Sequence, residues 1–482
     1  VADDKSCAPR DGCDFGDRAG DVAPSWTTTT PATDDDESAA TSSKGGIAAL
    51  IDAEARRLPR SVVRATRPAS SMVVDDEVIE PRPATSLTPD ERLVRDAARH
   101  FARDVVAPRV RAMDAAHALD GTVLEGLFAS GLMAIEIPDA YGGAGGSFVA
   151  SCLAIEEIAR VDPAVAVIVD IHNTLVARCV EAWGSASQRE TWLPRLAADT
   201  ASSFCLSEPG SGSDAFALRT RAERRNNDDT WVLNGEKAWI SNAREAGVFL
   251  VFATVDSALK HRGVTCFVVP RETEGLSIGP PESKLGIRAS SCCPVHLSDV
   301  VLSDEAVLGE VGRGYKMAMS VLNEGRIGIA AQMVGLARGA LDEALAYTAE
   351  RKQFGRPIVE YQGVQFPLAQ LAADIRAARA LVYDVARLKE QDHSRNTLAR
   401  DAAMAKLVAS QVAERTASQC VELLGGVGFT TAYLAEKFYR DAKIGAIYEG
   451  TTNMQLLTIA KHLREEGAAF DDDDDDQGRA AQ

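Results

Sequence analysis

Basic residues are in short supply: 52 Lys and Arg stand against 70 Asp and Glu, a formal net charge of -18. Phosphate neutralisation needs clustered Lys and Arg in excess, so a nucleic-acid partner is excluded, and an anionic ligand must be met by local basic groups. Paired cysteines are missing too. The nine cysteines are scattered, with no Cys-x-x-Cys pair and no zinc-site spacing, which excludes a disulfide framework and fits a reducing compartment. The most apolar stretch, residues 164–176, is interrupted by Asp170, His172 and Asn173, and is expected to be too short to span a bilayer. Also absent are a Ser-His-Asp order, a metal-binding His-Glu-x-x-His and a Rossmann Gly-x-Gly-x-x-Gly. What is there, 482 residues with 46% hydrophobic content, suffices for one large core or two to three packed domains.

Residues 1–46 are rich in Asp, Ser, Thr and Gly without apolar periodicity and read as disordered. Residues 55–74 carry Arg56, Arg57, Arg60, Arg64 and Arg67 with serines, the composition of a mitochondrial transit peptide or of a basic linker. Thr88-Pro89-Asp90-Glu91 then opens a helix with capping-box spacing and Pro at its first position. Helical patterns follow at 122–130, 148–160, 164–182 and 188–197, an all-α N-terminal domain over 87–201. From 202 to 309 the pattern is short β runs, with Asn234-Gly235 signalling a hairpin, and a compact β-barrel-like middle domain is expected. Helical periodicity returns over 310–465. Val364, Leu368, Leu371, Ile375, Ala378, Val382 and Val385 form one stripe of a four-helix-type bundle of four or five helices, and Gly425, Gly426 and Gly428 break one of them. Residues 466–482, with Asp471 to Asp476, read as a solvated acidic tail, and the whole is an α+β multidomain chain.

Two stretches carry chemistry. In Ile447-Tyr448-Glu449-Gly450-Thr451-Thr452-Asn453 a carboxylate precedes a glycine and two hydroxyls at a helix start, so Glu449 is either a helix-start charge or a catalytic base. In Phe204-Cys205-Leu206-Ser207-Glu208-Pro209-Gly210-Ser211-Gly212-Ser213-Asp214 a strand enters a Gly/Ser loop, either an ordinary turn or a polar cradle for a ring edge or phosphate. His172 reads as a satisfied structural histidine, and Cys292-Cys293, in a β loop without a paired His, as no nucleophile.

These two stretches, together with Trp239-Ile240-Ser241, residues 322–328 and 350–355, resemble the acyl-CoA dehydrogenase family in order from about Leu87 to Leu463. Within the family, the segments 207–221, 285–291, 323–332 and 441–450 most resemble its short/branched-chain members, which prefer 2-methylbutanoyl-CoA. The resemblance implies FAD as cofactor: Phe204 to Ser213 would line the flavin and pyrophosphate, Trp239 to Ser241 would cover the ring, and Thr451, Thr452 and Asn453 would join them. Arg351, Gln362 and Glu422-Leu423-Leu424-Gly425-Gly426 resemble the part that a neighbouring subunit contributes to the adenosine end, implying a homotetramer; Arg351 read alone is a surface ion-pair residue.

Ser213, Tyr315, Asn323, Glu324, Gly325 and Arg326 would contact the acyl-CoA substrate. The family has two placements for its base. One corresponds to Gly325, which has no side chain; Glu324 is one residue off and points about 100 degrees away on a helix. The other corresponds to Glu449, which is therefore assigned. His261 stands where short/branched-chain relatives have Tyr. The implied reaction is α,β-dehydrogenation to a trans-2-enoyl-CoA, with electrons leaving to an electron-transferring flavoprotein in the mitochondrial matrix. An oxidase on the same fold and a non-catalytic flavin-binding scaffold are the alternatives.

Overall fold

The computed structural model describes residues 83–225, 229–391 and 397–479, with side chains through residue 465; the targeting segment read from residues 55–74 lies outside them. The first helix, α1 (Pro89–Phe101), starts where its chemistry dictates. The Thr88 hydroxyl accepts from the Glu91 N–H at 3.2 Å and the Glu91 carboxylate accepts from the Thr88 N–H at 2.9 Å. Then come α2 (Val110–Ala116), α3 (Gly121–Ala129) and α4 (Phe148–Ala159), whose residues are all buried.

Helix α5 (Pro163–Asp170) passes through a π-helical stretch, Ile171–Ala177, into α6 (Arg178–Trp183). The continuous rod Pro163–Trp183 is 21 residues, longer than residues 164–176 implied and apolar enough to cross a membrane by length and composition. Its most apolar window is 94% buried inside the fold, so it is a core helix of this protein. The π stretch places His172 as a structural link, with Nε2 3.0 Å from the Leu196 carbonyl and Nδ1 2.8 Å from the Ser202 hydroxyl. Helix α7 (Ala186–Ala198) opens on a second capping box, Ser185 with Gln188.

Eight strands form the middle sheet: β1 (Ser202–Cys205), β2 (Arg221–Arg224), β3 (Thr230–Ser241), β4 (Val248–Thr254), β5 (Val264–Pro270), β6 (Leu276–Ile278), β7 (Cys292–Ser303) and β8 (Val307–Leu308). Their hydrogen-bonded order is β6-β7-β3-β2-β4-β5-β8, with β1 parallel on β4. The path ends at β6 and at β8 without a pair joining them among the described residues, so the sheet is mixed and not closed. Asn234-Gly235 does not make the expected hairpin. Strand β3 runs straight through it, shifting register between Leu233 and Gly235. A Cβ at Gly235 would lie 2.5 Å from the Thr220 hydroxyl oxygen, so the glycine serves close backbone approach rather than a turn. Cys292 and Cys293 begin β7, not a loop, and both are buried.

The C-terminal bundle has five α-helices: α8 (Gly314–Glu350), α9 (Gln362–Gln391), α10 (Leu398–Leu424), α11 (Ala435–Ala442) and α12 (Thr452–Arg479). Of the expected stripe, Leu368 to Val385 are buried and Val364 packs against the core partly buried. Gly425, at φ 66, ends α10. Helix α12 continues past Leu463 to Arg479, so the acidic run has helical backbone.

Buried ions lock the layers together. The fully buried Glu156 of α4 accepts from Arg338 of α8 and from Arg379 and Tyr383 of α9, while Glu157 pairs with Arg99 of α1 at 2.9 Å. Lys437 of α11 donates to Asp162 at 2.8 Å and to Asp441 at 2.6 Å, and Asp441 accepts the Ile287 N–H of the middle region at 2.5 Å. Removing one member of such a set leaves buried charge unpaired, which costs about 3–5 kcal/mol. Glu156→Ala is therefore expected to lower stability by about that amount, read as a fall in denaturation midpoint; an unchanged midpoint would mean that Arg338 and Arg379 find other partners.

Candidate active site

Between α11 and α12 the chain makes a tight turn at Glu449 and Gly450, with consecutive positive φ values of 49 and 87. A non-glycine residue held there costs about 1–3 kcal/mol and persists only when its surroundings over-determine it. They do. The Gln455 side-chain amide donates to the Glu449 carbonyl at 3.0 Å and to the Gly450 carbonyl at 2.8 Å, and Lys406 Nζ donates to the same Gly450 carbonyl at 2.8 Å. The Tyr448 hydroxyl bonds the Gln332 side chain. Thr451 is the N-cap of α12, its hydroxyl accepting from the Met454 N–H at 3.4 Å, whereas Thr452 is already helical and donates to the Ala446 carbonyl. Asn453 is exposed on the first turn.

The turn aims the Glu449 carboxylate at α8. A Cβ built on Gly325 would come 3.0 Å from Glu449 Oε2 and 2.9 Å from Leu175 Cδ2, so the glycine makes the room that the carboxylate occupies. Oε2 is buried without a hydrogen-bond partner, although the residue as a whole keeps partial exposure. Burial pushes the carboxyl up to about 7, against the pull of Arg326 and Lys406. Arg326 is itself buried: desolvation lowers its proton affinity and Glu449 raises it. Its Nη1 donates to Asn323 at 3.1 Å and its Nε is unpaired. Buried Asp170, at the end of α5, is raised well above the carboxylate range by burial and then by Glu449, and accepts from the Thr174 hydroxyl at 2.9 Å. Glu324, the competing glutamate, turns elsewhere, 3.0 Å from Lys389 and 3.5 Å from Arg178.

The Gly/Ser loop after β1 is built around Glu208. Its carboxylate accepts from buried Lys237 Nζ at 2.7 Å and from the N–H groups of Arg219 and Thr220, while the Ser211 hydroxyl is tied to the Asp214 carbonyl. Glu208 is thus committed within the loop. Phe204 and Ser207 are half-buried, Cys205 and Leu206 buried, and Pro209, Gly210, Gly212 and Ser213 exposed, with open space at Gly212. The Ala238 N–H donates to the Ser207 carbonyl, and the Ser203 hydroxyl donates to the Ser241 carbonyl. Between buried Lys237 and Ile240 stands Trp239, at φ 61, 64% exposed and at a register shift of β3. A large aromatic face held out to solvent on strained backbone fits a planar ring system such as a flavin. Tyr315 packs on Phe216, centroids 4.4 Å apart, and on His261 at 5.0 Å.

Arg351, Gln362, Glu422, Gly425 and Gly426 are exposed, while Leu423 is half-buried and Leu424 buried; no hydrogen bond or ion pair joins them to Glu449 or to the loop among the described residues. Arg351 makes no ion pair among the described residues. Near them Phe354, at a hairpin tip between β9 (Lys352–Gln353) and β10 (Arg356–Pro357), is 94% exposed. Sequence reasoning missed Asp170, Lys406 and Gln455 as neighbours of the base. Lys406 had a signal: it interrupts the buried small-residue face of Ala402, Ala405, Ala409 and Ala413.

A desolvated carboxylate on a strained turn, facing a glycine notch in a long helix, is a group suited to accepting a proton in an enclosed site. The chain belongs to the acyl-CoA dehydrogenase family: residues 88–200 match its N-terminal domain, 203–300 its middle domain and 312–464 its C-terminal domain. It is similar to a probable short/branched chain specific acyl-CoA dehydrogenase of Dictyostelium discoideum, 54% identical over 79% of this chain and 92% of the relative. It is also similar to the mitochondrial short/branched chain specific acyl-CoA dehydrogenase of Bos taurus, at 49% over 80% and 88%. Among solved structures, a glutaryl-CoA dehydrogenase from Mycobacterium smegmatis in complex with FADH2 superposes with a TM-score of 0.73 at 32% identity, over 78% of this chain and 95% of that one. The chain is an oxidoreductase of this family.

If Glu449 takes the proton it must be ionised, and with its carboxyl pushed up to about 7 by burial kcat/KM should fall tenfold per pH unit below that value and level off above it. A profile that stays flat down to pH ~5, near the ordinary carboxylate range, would place the titrating group elsewhere.

Proposed function

We propose that the protein is a FAD-dependent dehydrogenase of short, branched acyl-CoA thioesters, of the 2-methylbutanoyl-CoA kind, yielding the trans-2-enoyl-CoA. The observation that carries this reading is the unpaired, buried Oε2 of Glu449 lying against the Gly325 notch. There the carboxylate takes the proton from the thioester α-carbon. FAD, when bound, would supply the acceptor for the hydride leaving the β-carbon; the α C–H bond gives its proton to Glu449 and its electron pair to the new C=C bond, and the β C–H pair leaves with the hydride.

A thioester α-proton is too weakly acidic for a carboxylate in water, so the carbonyl must be polarised as charge develops. The Glu449 N–H donates no hydrogen bond among the described residues, which leaves it for the thioester oxygen. Arg326 keeps positive charge near the carboxylate, and Tyr315, Asn323, Gly325 and Ser213 would contact the substrate. Glu324, paired to Lys389 and Arg178, supports the wall rather than the chemistry.

Phe204 to Ser213, with Trp239, Ile240, Ser241, Thr451, Thr452 and Asn453, would hold the flavin. Arg351, Gln362 and the segment Glu422 to Gly426, exposed except at Leu423 and Leu424, would serve a neighbouring subunit's adenosine end in a homotetramer; the exposed Phe354 and Phe429 nearby support a buried surface there. Electrons would pass to an electron-transferring flavoprotein in the mitochondrial matrix; the mitochondrial name of the cattle relative supports the organelle.

Glu449→Gln should lower turnover by roughly 10²–10⁴-fold or more while the protein stays yellow and binds acyl-CoA; near-normal turnover would move the base to Glu324. Arg351→Ala should release flavin on dilution with the melting of the core unchanged, and full flavin retention would remove the cross-subunit role. A panel of 2-methylbutanoyl-, isobutanoyl-, butanoyl- and hexanoyl-CoA tests the acyl preference, with hexanoyl-CoA as best substrate counting against the branched short chain.

A further inference from the structure

Lys406 is a lysine in the wrong surroundings. It lies on a helix face otherwise made of small apolar residues, it is 1% exposed, and among the described residues it has one hydrogen bond for its three ammonium donors, the 2.8 Å bond to the Gly450 carbonyl. Burying an ammonium so poorly satisfied is costly unless a facing anion compensates. The anion acting on it is Glu449. The bond to Gly450 fixes the ammonium to the residue after the base, within the left-handed turn that aims the carboxylate. We propose that Lys406 is a positioning residue for the Glu449 base, pinning the Glu449–Gly450 turn and holding a fixed positive charge behind the carboxylate. This inference rests on Glu449 being the base.

The groups around the pair come from each packed element. Arg326 of α8 faces both Glu449 and Lys406, Asp170 of α5 faces Glu449, and Tyr448 lies on the turn itself. Burial lowers the Lys406 ammonium to about 8, Glu449 opposing the fall and Arg326 adding to it, while the Glu449 carboxyl sits at about 7. Between those two values both groups are mostly charged, the state in which the base works. A cation next to a carboxylate favours its anion, so removing the charge must raise the pKa of Glu449 further.

The kcat/KM pH profiles of Lys406→Arg, Lys406→Gln and Lys406→Met, with melting curves and Glu449→Gln in parallel, test this. Glutamine keeps a donor for the Gly450 carbonyl without the charge, arginine keeps the charge, and methionine keeps neither. The acid-limb midpoint should move up by about one unit in Lys406→Gln, a tenfold loss well below the midpoint, and stay near wild type in Lys406→Arg. Lys406→Met should show the same shift with a lower plateau. A folded Lys406→Gln with the wild-type midpoint, or an equal shift in Lys406→Arg, overturns the proposal. Turnover by Glu449→Gln would instead defeat the assignment of the base itself, whatever Lys406 does.

Discussion

A carboxylate can abstract a carbon-bound proton only if it has been stripped of water without being neutralised for good. Burial of Glu449 raises its proton affinity, and two cations, Arg326 and Lys406, keep the anion within reach near neutral pH. The glycine at position 325 makes the space, the left-handed turn aims the side chain, and Gln455 and Lys406 hold the turn in place. Each of these features costs stability taken singly; together they leave one carboxylate oxygen buried and unpaired against the glycine notch.

The scaffold pays for that strain in its ion networks. Glu156 and Glu157 collect arginines from α1, α8 and α9, and the core rod Pro163–Trp183 runs beside α8 with its π-helical stretch at the level of the site. The middle sheet repeats the pattern on a smaller scale. Buried Lys237 and Glu208 fix the Gly/Ser loop from beneath, and two residues further along the same strand Trp239 is forced outward. A rigid buried pair next to an exposed, strained aromatic is how a strand can present a flat surface without moving.

Much of this was legible where the signal is local. The capping box at Thr88, the bundle stripe from Leu368 to Val385, the N-cap at Thr451 and the candidacy of Glu449 follow from residues a few positions apart. Where the decisive partner is distant, local reading fails. Asn234-Gly235 has hairpin chemistry, but Thr220 packs against the glycine and β7 pairs along both sides of it, so the strand continues. Asp170 interrupts an apolar run in the sequence, yet Thr174 and the notch at Gly328 accommodate it in the core. Lys406 lies 43 positions before Glu449 in the chain, and no periodicity announces that the two meet.

Lys437 holds Asp162 from the N-terminal helices and Asp441 from its own helix, and Asp441 in turn holds the backbone of Ile287 from the middle region. Three parts of the chain that are far apart in sequence thus share one proton-rich knot. Inherited variation at any of these three side chains would be expected to appear as correlated replacement, because losing Lys437 strands two carboxylates in the interior and losing either carboxylate leaves the buried ammonium short of a partner. The family's modular look, three segments that each resemble a separate unit, therefore conceals a shared evolutionary constraint on how independently those segments can drift.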